Sequence, residues 1–317
     1  MSGSARVRCG LFALALALLS GCGGNGQSTL SPHSDQSRKI EHLWWGMLAA
    51  AAIVFLGTVA LIGIAWVRRN RPGLPIFGQS SDVTNGLVVT FGIVIPVLAL
   101  TATFFIADVG VLRATDAPRA GETKMTIDVV GRQWFWEVRY PGTGAVTANE
   151  IHIPVKTPVK VVGTSADVIH SFWVPELNKK IDLIPGRTNT LELYADKPGV
   201  YRGQCAEFCG LQHARMSMAV YADAPQAYRT WIANMAKPVD QSAPTASAGL
   251  AAFASGQCAG CHTLRGTSAR GRIGPDLTHV MSRHTLAALT IPNTQGYLGA
   301  WILDPQKFKP GSKMPGL

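Results

Sequence analysis

Two uninterrupted apolar runs limit what this chain can fold into. "LWWGMLAAAAIVFLGTVALIGIAWV" (43–67) has 25 residues and no charge, and "GLVVTFGIVIPVLALTATFFIA" (86–107) has 22. Each is long enough to cross a bilayer as a helix. Trp44, Trp45 and Trp66 sit near the ends of the first, where indoles favour the membrane interface. Pro96 falls inside the second and predicts a kink there. "RRNRPG" joins the spans with three arginines, so the positive-inside rule puts this loop in the cytoplasm. Both termini and everything after Ala107 then lie outside. The expectation is a transmembrane helical hairpin over 43–107 holding a large periplasmic or extracellular part.

The leader gives the same topology independently. "MSGSARVRCGLFALALALLSGC" has Arg6 and Arg8, an apolar run of signal-peptide length, and then "LLSGC". Small residues before a cysteine resemble a bacterial lipobox, which implies a signal peptide over 1–21 and lipid on Cys22. An ordinary signal peptide cut nearby is the alternative. Residues 22–42 begin rich in Gly, Ser, Asn and Gln and read as a flexible tether.

The net charge of +10 is uneven. Residues 108–240 hold fifteen Lys/Arg against fourteen Asp/Glu, whereas 241–317 hold seven against two. A basic module can meet nucleic acid, anionic lipid or an acidic protein. No helix-turn-helix, zinc-finger or aromatic RNA-reading pattern accompanies it, so nucleic acid is set aside.

Residues 108–236 read as one β domain. From about 122 to 222, "KMTIDVVG", "QWFWEVRY", "EIHIPV", "PVKVVGTS", "VIHSFWVP", "NTLELYA", "GVYRGQC" and "MSMAVYA" are separated by turn residues. Such spacing predicts an antiparallel sandwich or barrel. Between the last two strands lies "CAEFCGLQHARM" (205–216), with two cysteines, a histidine and a methionine. A disulfide needs only the cysteines, and structural zinc would be closed by Cys and His at other spacings. Copper suits thiolate, imidazole and thioether together. Two bridging thiolates can build a binuclear centre, which needs a further terminal ligand, and His170 beside Trp173 and Pro175 is the obvious supplier.

"VIHSFWVPEL", "KKIDLIPGRTN", "QCAEFCGLQHARM" and "GRQWFWEVRY", with the two-span hairpin, resemble subunit II of haem–copper cytochrome c oxidases over roughly 40–222. The resemblance implies a cupredoxin-like Greek-key barrel holding a binuclear Cu A centre. It implies that Cys205 and Cys209 bridge two coppers and that His170 and His213 bind one each. Met216 would be a weak ligand and the Glu207 carbonyl another. The Glu207 side chain would reach a magnesium at the interface with subunit I. Trp134 would be where electrons enter, and Phe135 reads as core packing. The family's acid ahead of the second-span proline is missing here, Asp82 lying outside the span.

Residues 237–249 are rich in Pro, Ala and Ser and read as a linker to a module over 250–317. Cys258-x-x-Cys261-His262 is the c-type haem signature, although a bare CxxCH also serves redox pairs and zinc sites. With "RIGPDL" (272–277) and "KPGSKMPGL" (309–317) it resembles a small all-α class I cytochrome c. That resemblance implies one covalent haem c, with His262 as proximal ligand, Pro275 supporting it and Met314 as sixth ligand. Met281, His279 and His284 compete for the last role. The family's C-terminal helix is not in this sequence, and the Met314 end is expected to fray.

Together the resemblances imply the subunit of a terminal oxidase where electrons enter, in a bacterial cytoplasmic membrane. Its partners would be subunits I and III and a donor with an acidic surface. Oxygen reduction and proton pumping would belong to subunit I. A nitric oxide reductase subunit and a membrane-tethered copper-binding protein are the rival readings. Mass spectrometry of the mature N-terminus is expected to find Cys22 first and lipid on its sulfur; an unmodified start elsewhere removes the lipid.

Overall fold

A computed structural model describes residues 26–69, 81–242 and 246–317. Cys9, Cys22 and the signal peptide lie outside the described residues, as does most of the arginine loop.

Helix α1 (Asp35–Arg69) has 35 residues. At 1.5 Å per residue it is about 50 Å long, more than the bilayer requires, and the excess is at its start. Ser34 and Ser37 cap it reciprocally, Ser37 N–H donating to Ser34 Oγ at 2.9 Å and Ser34 N–H to Ser37 Oγ at 3.0 Å. Both serines are buried, because the cap is built into the β domain. His33 N–H donates to the Glu176 carbonyl at 2.8 Å, and Asp196 N–H donates to the His33 carbonyl at 2.9 Å. Arg38 reaches Asp196 Oδ2 at 2.9 Å, and Gln36 reaches Glu192 Oε1 at 2.7 Å. The expectation of a flexible tether to residue 42 is therefore corrected. Residues 35–42 are helix, and Gly26, Gln27, His33 and Ser34 before them are bonded to the domain.

The second apolar stretch is α2 (Ser81–Val89), a π-helical segment (Thr90–Val94) and α3 (Ile95–Ala107). The wide turn lies directly before Pro96, which has no N–H to return to the preceding turn. The expected distortion takes that form. Helical residues continue through Asp108–Leu112 and Arg113–Thr115, so this helix runs on beyond Ala107. Both helices are long and apolar enough to cross a membrane, and their apolar windows are exposed.

Ten strands form two five-stranded sheets. The first contains β1 (Met125–Arg132), β2 (Phe135–Tyr140), β3 (Ala145–Ala148), β5 (Val159–Ser165) and β8 (Asn189–Leu193) in the order β3-β2-β1-β5-β8. The second contains β4 (Glu150–Pro154), β6 (His170–Trp173), β7 (Ile181–Leu183), β9 (Gly199–Cys205) and β10 (Ser217–Asp223) in the order β4-β10-β9-β6-β7. Their inner faces enclose Ile127, Trp136, Ile151, Phe172, Leu191 and Met218, all fully buried or nearly so. This is the expected cupredoxin-like two-sheet architecture. It is not wholly antiparallel: β1 runs parallel to β5, and β4 to β10. Strands β3 and β7 had no sequence signal, being four and three residues long.

Helix α4 (Pro225–Met235) lays Trp231 on Tyr140 and on His152, with ring centroids 5.3 and 4.0 Å apart. The C-terminal module has α5 (Ala246–Ser255), α6 (Cys258–Cys261), α7 (Gln295–Leu303) and α8 (Pro305–Phe308). Helix α5 begins inside the stretch expected to be linker. The module is not purely helical, since Thr285–Leu286 pairs with Ile291–Pro292.

The strap gives a prediction. Burial pushes the Asp196 carboxyl up, but Arg38 and His33 outweigh it and hold it below its ordinary value. The contribution of these pairs is therefore complete above the unfolded pKa and is lost as pH falls through the lower, folded one. Asp196→Asn is expected to cost no more than about 1 kcal/mol and to speed hydrogen exchange over residues 33–38 at neutral pH. The unchanged chain should show that loosening only in acid.

Candidate functional site

The loop between β9 and β10 is closed at its neck by the sheet. Cys205 N–H donates to the Met216 carbonyl at 2.9 Å, one step beyond the Gln204–Ser217 pair. Inside the loop, Gly210 takes φ +111° and lies so near the Trp134 ring that a Cβ would sit 3.1 Å from it. His213 N–H donates to the Gly210 carbonyl at 3.0 Å, which turns the His213 imidazole back towards the cysteines.

All the side chains expected from the sequence meet here. Cys205 Sγ lies 3.8 Å from Cys209 Sγ and 3.9 Å from His170 Nδ1. Cys209 Sγ lies 3.8 Å from both His213 Nδ1 and Met216 Sδ. The Glu207 carbonyl is 3.2 Å from Cys205 Sγ, while its side chain is exposed. The sulfurs are far outside the 2.05 Å of a disulfide, and both cysteines are free and buried. Two thiols, two imidazoles and a thioether form a soft donor set that fits copper.

Second contacts hold these donors. His170 is fully buried, and its Nε2 meets Asp167 Oδ1 at 2.8 Å, which leaves Nδ1 for the cysteines. Burial alone would lower the His170 pKa, but the Cys205 sulfur and the Asp167 carboxylate outweigh it and raise it. Burial alone would raise Asp167. Hydrogen bonds from His170 and from the Gln133 and Val168 N–H groups bring it below its ordinary value. The S–H of Cys209 holds the Cys205 thiol far below its usual range, and the resulting charge pushes Cys209 up. Gly131 makes room, since a Cβ there would lie 2.7 Å from His170 Cδ2.

A second site adjoins the first. A cavity of about 260 Å³ is lined by His262, Pro275 and Met314 of the C-terminal module and by Trp134, Phe135 and Asn149 of the β domain. His262 Nδ1 hydrogen-bonds the Pro275 carbonyl at 2.8 Å, leaving Nε2 free for a ligand. A Cβ on Gly274 would lie 2.3 Å from the His262 ring. Cys258 and Cys261, half-buried and free, occupy the helical turn before His262. Arg283 is buried on the cavity wall with its Nε unpartnered among the described residues, suited to an anionic group. An apolar cavity with an available imidazole, a thioether and a buried guanidinium fits a haem. Among the rival ligands, Met281 is 53% exposed, His279 bonds the Lys237 carbonyl and His284 faces Glu150.

Trp134 stands between the two sites. Its Nε1 donates to the Cys209 carbonyl at 3.0 Å, and Gln133 Nε2 donates to the same oxygen at 2.8 Å. Phe135, expected in the core, lines the cavity instead, and Trp136 is the buried ring. Sequence reasoning missed Asp167, Arg283 and Asn149. Asp167 had a signal, three positions before His170, whereas the others depend on how the domains dock.

Both domains match known families. Residues 144–223 match the family model of the cytochrome c oxidase subunit II periplasmic domain, and 246–317 match that of cytochrome c. The chain is similar to cytochrome c oxidase subunit 2 of Alkalihalophilus pseudofirmus, with 33% identity over 94% of this chain and 87% of that protein. The Bacillus subtilis protein of the same name is 28% identical over 96% of this chain and 90% of its own length. The periplasmic domain of cytochrome oxidase subunit II from Bradyrhizobium japonicum is 33% identical, covers 38% of this chain and 96% of its own, and superposes with a TM-score of 0.36.

Loss of the Asp167 contact tests the site without removing a ligand. Asp167→Asn is expected to weaken copper binding by about 10- to 100-fold, read by competition with a chelator.

Proposed function

This chain belongs to the cytochrome c oxidase subunit II family, and from that premise we propose that it takes electrons from a donor at a haem c and hands them on through a Cu A centre to subunit I. It is a subunit of a membrane-anchored oxidoreductase, with a copper-type periplasmic domain and a cytochrome c module. When bound, a copper pair and a covalent haem supply the one-electron carriers. Cys205, Cys209, His170 and His213 would hold the copper pair, with Met216 and the Glu207 carbonyl as further donors. Cys258 and Cys261 would attach the haem, and His262 and Met314 would offer the iron one ligand each.

The observation that carries this reading is Trp134. One ring contacts the copper loop through the Cys209 carbonyl and lines the haem cavity. Rigid strand ends and buried second contacts keep the donors in place whichever charge the centre carries. In this reading, oxygen reduction and proton pumping fall to subunit I.

Further parts of the proposal concern partners and placement. The domains lie on the periplasmic side, as the arginines between the spans imply. The exposed Glu207 carboxylate faces subunit I and binds a magnesium there. The donor presents acidic groups to the basic module. Subunit III completes the assembly.

Metal and haem analysis of the purified chain, with EPR, tests the centre. Two coppers per chain sharing one unpaired electron, and one covalent haem, are expected. A single copper, or zinc, overturns the reading. Turnover of nitric oxide but not oxygen by the purified complex would replace the oxidase with a reductase.

A further inference from the structure

We propose that Lys309 is a positioning residue, which locks the cytochrome c module onto the copper domain and holds Trp134 across the gap between the two cofactor sites. This rests on the electron-transfer reading above. Lys309 is 4% exposed, and among the described residues no carboxylate pairs with it. Its Nζ donates to the Trp134 carbonyl at 2.9 Å and to the Ala287 carbonyl at 3.5 Å. Ala287 lines the haem cavity, and Trp134 belongs to the β1–β2 turn of the copper domain. One ammonium thus ties together backbone from both modules.

Packing alone does not account for a lysine at this place. A buried ammonium without a counter-charge is costly, and an apolar side chain would fill the space more cheaply. Burial pulls Lys309 down to about 7. What the lysine adds is direction. It grips Trp134 by the backbone while the Cys209 carbonyl grips the indole Nε1. The residue is therefore held at both ends, its backbone by the cytochrome c module and its ring by the β domain.

The surrounding contacts point the same way. Lys313 Nζ donates to Gln133 Oε1 at 2.7 Å and lies 5.8 Å from the Trp134 ring centroid. Gln212 and Arg215, on either side of His213, donate to the Pro310 and Phe308 carbonyls. The segment carrying Met314 is thereby bound to the loop carrying Cys209, His213 and Met216. In the transfer one electron leaves the haem and one arrives at the copper pair. Trp134 stays neutral, and no proton moves. Lys309 lies between the sites, so its charge acts on both and its removal changes the coupling more than the driving force.

The test uses the full chain loaded with copper and haem. The haem is photoreduced, and electron arrival at copper is followed optically. Hydrogen exchange of the Trp134 indole N–H and of residues 308–314 is measured in parallel, together with both potentials. Lys309→Met is expected to slow transfer by about tenfold or more, to speed both exchanges, and to leave the difference between the potentials unchanged. Lys309→Arg, which keeps a cationic donor, should recover most of the loss. A loaded K309M chain that matches the unchanged one in rate and exchange overturns the proposal, as does a loaded K309R chain no better than K309M. If K309M does not load, Lys309→Gln is read for the same changes, with the same overturning result. If no electron passes in the unchanged chain, the electron-transfer reading fails, and the exchange measurements still decide whether Lys309 holds Trp134.

Discussion

The hydrogen bond from Cys205 N–H to the Met216 carbonyl closes the metal loop where β9 meets β10. It makes twelve residues an extension of a sheet rather than a free loop. Cys205 ends one strand and Met216 precedes the next, so two donors are fixed by the ladder itself. Cys209 and His213 are then placed by the turn around Gly210, and His170 comes from the start of the neighbouring strand β6. A donor set on strand ends loses little further freedom when metal binds, which favours tight binding and small rearrangement.

That rigid loop is also a docking platform. Its outer side, through Gln212 and Arg215, grips the backbone before Met314, and Trp134 packs on Gly210. The haem cavity thus has a wall from each module. Buried Glu150 reinforces the joint by accepting from the His284 and Thr285 N–H groups at 2.7 and 3.2 Å. Tyr221 stacks on His284 with centroids 4.4 Å apart. Buried polar groups satisfied only across an interface penalise its opening. The module is therefore held in one orientation, with its cavity facing the copper loop.

The membrane anchor is joined by the same principle. The capped start of α1 is buried against β-domain backbone, so the helix and the copper domain move together. The strap therefore fixes the copper-type domain relative to the start of α1.

Much of this was legible in the chain. Length and absence of charge specify the spans, alternation specifies most strands, and Cys, His and Met types specify the metal chemistry. These are local properties, set by side-chain composition over a few residues. The tertiary structure alone decided the rest. It made residues 35–42 helix, because their cap is completed by the distant Glu176, Leu177 and Asp196. It added β3 and β7, too short to show a period, and turned two strand pairs parallel. It moved Phe135 from core to cavity wall, because the cytochrome module covers that face. It also brought Lys309 to Trp134, 175 positions away in the chain. Donor chemistry is written in residue type, whereas the support of each donor depends on which surfaces meet, and no local pattern encodes that.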